Sequence, residues 1–170
     1  MLSVKDNSRS FKQALKNKSS RVQSAIQKAL ADASAFQVDA IRERTEQRGK
    51  DVQGRSFKPY SKSYIQARRK RSNDRSNRDQ TPKSFVDLNF TGKMFSSLTF
   101  TTRPSRGILF FRTAQQSKKA FIHNTGVGRM PKREFFGVSL LEQKKINAII
   151  GKSIKKALAW VLERILPIIL

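Results

Sequence analysis

The residues with most scope for chemistry lie between Phe121 and Ser139, in FIHNTGVGRMPKREFFGVS. This stretch holds the only histidine, His123, three of the eight glycines (Gly126, Gly128 and Gly137) and the cations Arg129, Lys132 and Arg133. A histidine among glycines and cations is raw material for a general base or an anion-binding loop. Either needs partners. No carboxylate follows His123 until Glu134, and one lone ring nitrogen makes neither an oriented base nor a metal site. Gly126-Val127-Gly128 lacks the third glycine of a dinucleotide-binding turn, and no phosphate-loop lysine follows it. Ser139, in GVS, does not sit in the G-x-S-x-G of a nucleophile elbow. The closest acid pairs are Glu43 with Glu46 and Asp74 with Asp79. They fall on a solvated helix face and in a polar loop, where rigid convergence is not expected. The chain has no cysteine, which excludes thiolate and disulfide chemistry. The expectation is a protein that is not an enzyme, needs no cofactor or metal, and uses His123 structurally.

The elements that would position this stretch follow from periodicity. From about Ser20 to Arg48, Val22, Ala25, Ile26, Ala29, Leu30, Ala33, Phe36, Val38, Ala40 and Ile41 mostly recur at three- and four-residue steps, with no Pro or Gly before Gly49. That predicts one long amphipathic helix capped at Gly49, its polar face carrying Arg42 and Glu43. Residues 1–19 are read as a flexible N-terminus. Gly54 and Pro59 mark an irregular linker pinned by Phe57 and Tyr60, and Ser61 caps a short helix from Lys62 towards Arg71. Residues 69–84 contain no apolar residue and are expected to be a basic disordered loop. Thr91 is the expected cap of a turn over Lys93–Leu98. Leu98–Arg103 and Ile108–Thr113 form a hairpin across Pro104–Gly107. Ala114–Phe121 is expected to be a crossover, and the following residues a turn-rich loop. Ser139 caps a last helix from Leu140 that Pro167 ends or kinks. The predicted class is α+β: a small antiparallel sheet with an N-terminal and a C-terminal helix packed on it, in a single domain.

The chain carries 36 Lys and Arg against 12 Asp and Glu, a formal net charge of +24. Self-repulsion on that scale favours an anionic partner, nucleic acid or an acidic protein face. Arg69, Lys70, Arg71, Arg75 and Arg78 are the candidate contacts. No sequence-reading motif accompanies them, so attraction at the level of phosphates is expected. MLSVKDNSRS has no apolar run, so no signal peptide is expected. ALAWVLERILPIIL is interrupted by Glu163 and Arg164. It is read as a buried or interfacial helix end, not a membrane anchor, with surface binding to lipid a lesser reading.

Four segments in order carry a likeness. They are GKDVQGRSFKPYSKSYIQAR (Gly49–Arg68), DLNFTGKMFSSL (Asp87–Leu98), AFIHNTG (Ala120–Gly126) and PKREFFGVS (Pro131–Ser139). Together they resemble the tailed-phage virion morphogenesis proteins, the tail-completion family, which is similar in turn to head–tail joining and neck proteins. The likeness spans a little over half of the chain. It implies a structural virion protein that assembles in the host cytoplasm as a homo-oligomeric ring, hexameric or dodecameric, at the head–tail junction. Its implied neighbours are the portal, connector or adaptor protein on one side and the tail terminator or tail tube and sheath proteins on the other. DNA would pass through the lumen. On this reading Arg133, Phe135 and Phe136, with Leu98, Phe100 and Phe110 of the hairpin, form the subunit interface. The two phenylalanines require a pocket, either in their own core or at least partly on a neighbour. A non-specific nucleic-acid-binding protein is the alternative.

Overall fold

In the computed structural model the described residues are 8–72, 84–128 and 130–169, with side chains described for all of these except 8–19, 71–72, 162 and 164–169. The chain folds in the order α1 (Ser8–Arg42), a π-helical turn (Glu43–Gln47), α2 (Lys62–Ser72), α3 (Lys93–Ser97), β1 (Leu98–Arg103), β2 (Arg106–Phe111), α4 (Ala114–Thr125) and α5 (Leu140–Ile169). The class is α+β, as expected: the described residues form five α-helices and a two-stranded antiparallel sheet.

The hairpin register pairs Leu98 with Phe111, Phe100 with Leu109 and Arg103 with Arg106. Its turn is therefore Pro104-Ser105, shorter than the four residues expected, because Arg106 and Gly107 already belong to β2. Leu98 and Phe111 sit on the inner face and are buried, with Phe100 and Leu109 packed beside them. The hairpin lies on α1. A Cβ on Gly107 would stand 2.0 Å from Ser34 Oγ and 3.4 Å from Ser34 Cβ, so the smallest residue sets how closely strand and helix approach. At the tip, the Gln27 side-chain amide donates to the Arg103 carbonyl at 3.3 Å.

α1 begins at Ser8, not near Ser20. The segment expected to be flexible is helical from there, since it has no Pro or Gly and is built of good helix formers. α5 runs back along α1. Gln37 bonds Glu142 near one end, Lys145 lies 5.8 Å from the Phe36 ring, and Arg21 stacks over Trp160 at 4.2 Å near the other. The contacts read antiparallel. α5 continues past Pro167 to Ile169. Its described apolar side chains are at best half-buried, among them Ile146, Ile150 and Ile154, while Leu140, Leu141 and Leu158 are 79%, 73% and 48% exposed.

The helix expected from Lys62 towards Arg71 is present as α2, which ends at Ser72 and so takes in the first residues of the run expected to be a loop from 69. Two further expectations are corrected. Gly92, with φ 73°, caps α3 in place of Thr91. Ala114–Thr125 is a helix capped by Thr113, whose hydroxyl accepts from the Gln116 N–H at 3.3 Å. It was concealed because only Ala120 and Gln116 of its residues are buried. The rest of the loop expected at 69–84, from 73 to 83, lies outside the described residues.

Gly107→Val is expected to lower stability by about 1–3 kcal/mol through overpacking against α1. Gly107→Ala in a Ser34→Ala background, where the obstructing hydroxyl is gone, should stay within about 1 kcal/mol of Ser34→Ala alone. Urea denaturation followed by circular dichroism checks both.

Candidate functional site

The site is built on the arm that joins α4 to α5. Its first constraint is Gly126, which closes α4 with φ 75°; a Cβ there would meet the Lys132 backbone nitrogen at 2.7 Å. The chain thus doubles back tightly on the helix end. The Arg133 N–H then donates to the His123 carbonyl at 2.8 Å, and the Phe136 N–H to Asn124 Oδ1 at 2.8 Å. On the other side the Val52 N–H donates to the Glu134 carbonyl at 2.9 Å. The Arg133 guanidinium is 3% exposed and donates to the Lys58 and Pro59 carbonyls. The arm is held as an internal strut between α4 and the 50–60 linker.

That geometry revises the interface predicted for it. Phe135 is 0% exposed and Leu98 2%. Phe135 meets Phe95 edge-on with ring centres 5.5 Å apart, and Phe136 packs against Phe111 at 5.5 Å. The pocket for Phe135 is this chain's own core. Arg133, Phe135 and Leu98 are therefore corrected from intersubunit contacts to core and strut residues: the close return at Gly126 turns the arm inward. Phe100 and Phe136 are half-buried, and Phe110, on the outer face of the hairpin, is 39% exposed. These three keep surface to offer. Arg69 and Lys70 are exposed on α2. The side chain of Arg71 and the whole of Arg75 and Arg78 lie outside the described residues.

Two buried ion pairs complete the arrangement, and neither was legible in the sequence. Arg44 lies in the π-helical turn that continues α1, on the side of the buried Gln37 and Ile41, and is itself buried. There its guanidinium pairs with Glu142 and donates to the Phe135 carbonyl at 2.7 Å and the Gly137 carbonyl at 3.3 Å. Gln37 donates to the Gly137 carbonyl at 3.0 Å and to Glu142 at 3.2 Å. Ser139 and Glu142 form a reciprocal cap for α5: the Glu142 N–H donates to Ser139 Oγ at 3.2 Å and the Ser139 N–H to the Glu142 carboxylate at 2.8 Å. Burial alone would raise the Glu142 pKa, but the Ser139 N–H, Arg44 and Gln37 outweigh it and hold the carboxyl below its usual value. In the second pair, Arg68 grips Asp87 through two bonds of 2.6 and 3.0 Å. The Tyr60 hydroxyl donates to Asp87 at 3.2 Å while accepting the Leu88 N–H at 2.8 Å. This clamps the Asp87–Asn89 segment, with Leu88 at φ 52°, onto α2. The only hint in the sequence was Ser139 three residues before Glu142, the spacing of a capping box.

Two surfaces remain after the arm is accounted for. The first is a groove of about 790 Å³ at the start of α5, bordered by Phe36, Val138, Leu140 and Leu141 and also by Glu43, Arg48, Lys50 and Lys145. With the exposed leucines of α5 it makes a candidate assembly face. The second is a cleft of about 720 Å³ between α2, α3, α4 and the arm. Among the described residues no cluster of three metal-ligating side chains occurs, and no helix is long and apolar enough to cross a membrane. His123 is half-buried, and its pKa is lowered by burial and by the charges of Arg133 and Lys119. Compared with family models, curated proteins and solved structures, the chain matches none.

Arg44→Met or Glu142→Gln alone should cost about 3–5 kcal/mol, because each strands a buried partner. The double variant should cost less than the sum. Because the folded pKa of Glu142 is depressed, its contribution is present above the unfolded carboxyl value and disappears as pH falls through the folded one. Urea midpoints between pH 7 and pH 3 should thus fall less steeply in Glu142→Gln than in the wild type. Phe135→Ala should cost about 3–5 kcal/mol as a core truncation. Its thermal transition, followed by circular dichroism, should move down accordingly.

Proposed function

We propose that this protein is a structural subunit of a tailed-phage particle, a tail-completion or neck protein that closes into a homo-oligomeric ring at the head–tail junction. The observation that carries the reading is the set of leucines that α5 leaves exposed. A chain with 36 basic residues leaves Leu140, Leu141 and Leu158 79%, 73% and 48% exposed, beside lysines of the same helix. Exposed apolar surface of this extent, bordered by charge, is the mark of an interaction site. α1 shields one side of α5, and a neighbouring subunit would shield the other. The ordered likeness of four sequence segments to tail-completion proteins supports the same reading.

A ring needs two different faces on each subunit, because head-to-tail contacts close only when one patch meets a complementary one. The exposed leucines of α5 and the groove beside them supply one face. Phe110 on the outer hairpin and the exposed Phe121 and Val127 around the end of α4 offer apolar surface for the second. The mechanism is stoichiometric: ring closure creates a docking surface for portal or adaptor proteins on one side and for tail proteins on the other. The net charge of +24 opposes self-association until it is neutralised. DNA in the lumen would neutralise it, which reconciles the ring with non-specific DNA attraction.

Leu141→Lys with Leu158→Lys replaces two exposed side chains and should leave circular dichroism and thermal midpoint within about 1 kcal/mol of the wild type. Multi-angle light scattering should give a closed oligomer for the wild type at ~0.3 M salt, where repulsion is screened. The double variant should run as a monomer. A wild type that stays monomeric, alone and with short duplex DNA, would count against the ring.

A further inference from the structure

The second cleft has no part in the ring, and its lining is chemically one-sided. Its walls are Tyr60, Tyr64, Phe90, Met94 and Pro131, with Met130 at 39% exposure. The ionisable groups apart from the tyrosines are Lys119, His123 and Arg133; no aspartate or glutamate lines it. Its field is positive enough that Arg133 and Lys119 add to burial in lowering the His123 pKa. Gln116, 6% exposed, sits in the wall with its Oε1 unpartnered, and His123 Nδ1 is likewise unpartnered. A buried amide oxygen left without a donor is costly, and a bound donor relieves it. The volume of about 720 Å³ falls within the range of sites that take a short peptide or comparable ligand.

We propose that this cleft is a docking site for an acidic peptide segment of a partner protein, with an aromatic or large aliphatic side chain as its anchor. The apolar walls take the anchor, Lys119 and the positive field take flanking carboxylates, and a peptide N–H satisfies the Gln116 amide after it turns towards the cleft. A nucleobase fits less well, because stacking needs free ring faces. Here the rings pack on each other: Tyr60 and Tyr64 have centres 4.5 Å apart, and Tyr64 and Phe90 5.7 Å. Arg68 and Arg133 approach the Tyr60 ring at 5.5 and 5.2 Å. The site is independent of the ring, since none of its lining residues belongs to the α5 groove. A chain that never assembled would still bind.

The probe is a fluorescein-labelled peptide, Asp-Glu-Phe-Leu-Glu-Asp, titrated with the full chain and read by anisotropy. Saturable binding in the micromolar range is expected. Replacing Phe-Leu by Ser-Gly in the peptide should weaken it at least tenfold. Lys119→Glu and Met130→Asp, both at exposed positions, should each do the same with unchanged circular dichroism. Lys152→Glu, the same charge change on α5, should alter affinity less than threefold. Equal losses with Lys152→Glu, or equal binding of the Ser-Gly peptide, would reduce the effect to net charge and overturn the proposal. Displacement by oligo-dT with the same dependence on Lys119 would assign the cleft to nucleic acid. Loss of peptide binding only where the chain self-associates would assign it to a second copy. No saturation below 1 mM peptide would also refute it.

Discussion

The fold depends on one buried charge pair. Arg44 points inward from the π-helical turn on the same side as Gln37 and Ile41, and it meets Glu142 and two carbonyls of the arm, those of Phe135 and Gly137. The end of α1 is fastened there to the arm and the adjoining first turn of α5, both distant from it in sequence. A buried arginine must have acceptors for its donors, and a buried carboxylate must have donors. Glu142 and the arm carbonyls satisfy the terminal nitrogens of Arg44, while its Nε has no hydrogen-bond partner. The Arg68–Asp87 pair does the equivalent for α2 and the segment before α3. A small apolar core centred on Phe95, Leu98 and Phe135 is thereby given a unique arrangement, in a chain whose composition is only 37% hydrophobic.

This locking explains why so much surface is left over. With the arm and both phenylalanines committed inward, the core is complete without α5 beyond its first turn. The remainder of α5 leans on α1 alone, through half-buried isoleucines and the stacking of Arg21 on Trp160. A lone helical pair of this kind exposes one flank of each helix, and on α5 that flank carries Leu140, Leu141 and Leu158 among lysines such as Lys144, Lys152 and Lys155. The assembly face proposed for α5 would thus follow from where the core ends.

The long helices, the hairpin and the Ser139 cap were legible because each rests on local signals: period, turn residues and a capping box. Three things were not. α4 was hidden because a mostly exposed helix leaves no apolar period. The inward direction of the arm depends on the close return at Gly126 against Lys132, which is a tertiary contact. The buried arginines were unreadable for the same reason. Among 36 basic residues little local signal separates Arg44, Arg68 or Arg133 from their solvated neighbours; distant acceptors select them, Glu142, Asp87 and the Lys58 and Pro59 carbonyls. The interface predicted at Phe135 and Leu98 failed because an aromatic pair beside charge reads alike whether its pocket is internal or on a neighbour. That Leu140, Leu141 and Leu158 of α5 stay exposed was not legible, because exposure depends on what packs against the helix.

The central claim is that the uncovered side of α5 is a contact between copies of this chain in a closed ring. Electron cryomicroscopy of the particle assembled by the full chain tests this most directly, because it fixes symmetry and neighbours together. The account predicts a closed ring in which Leu141 and Leu158 of each subunit are buried against the next. A ring with α5 facing solvent, or a field of monomers under conditions where the double lysine variant behaves identically, would contradict it.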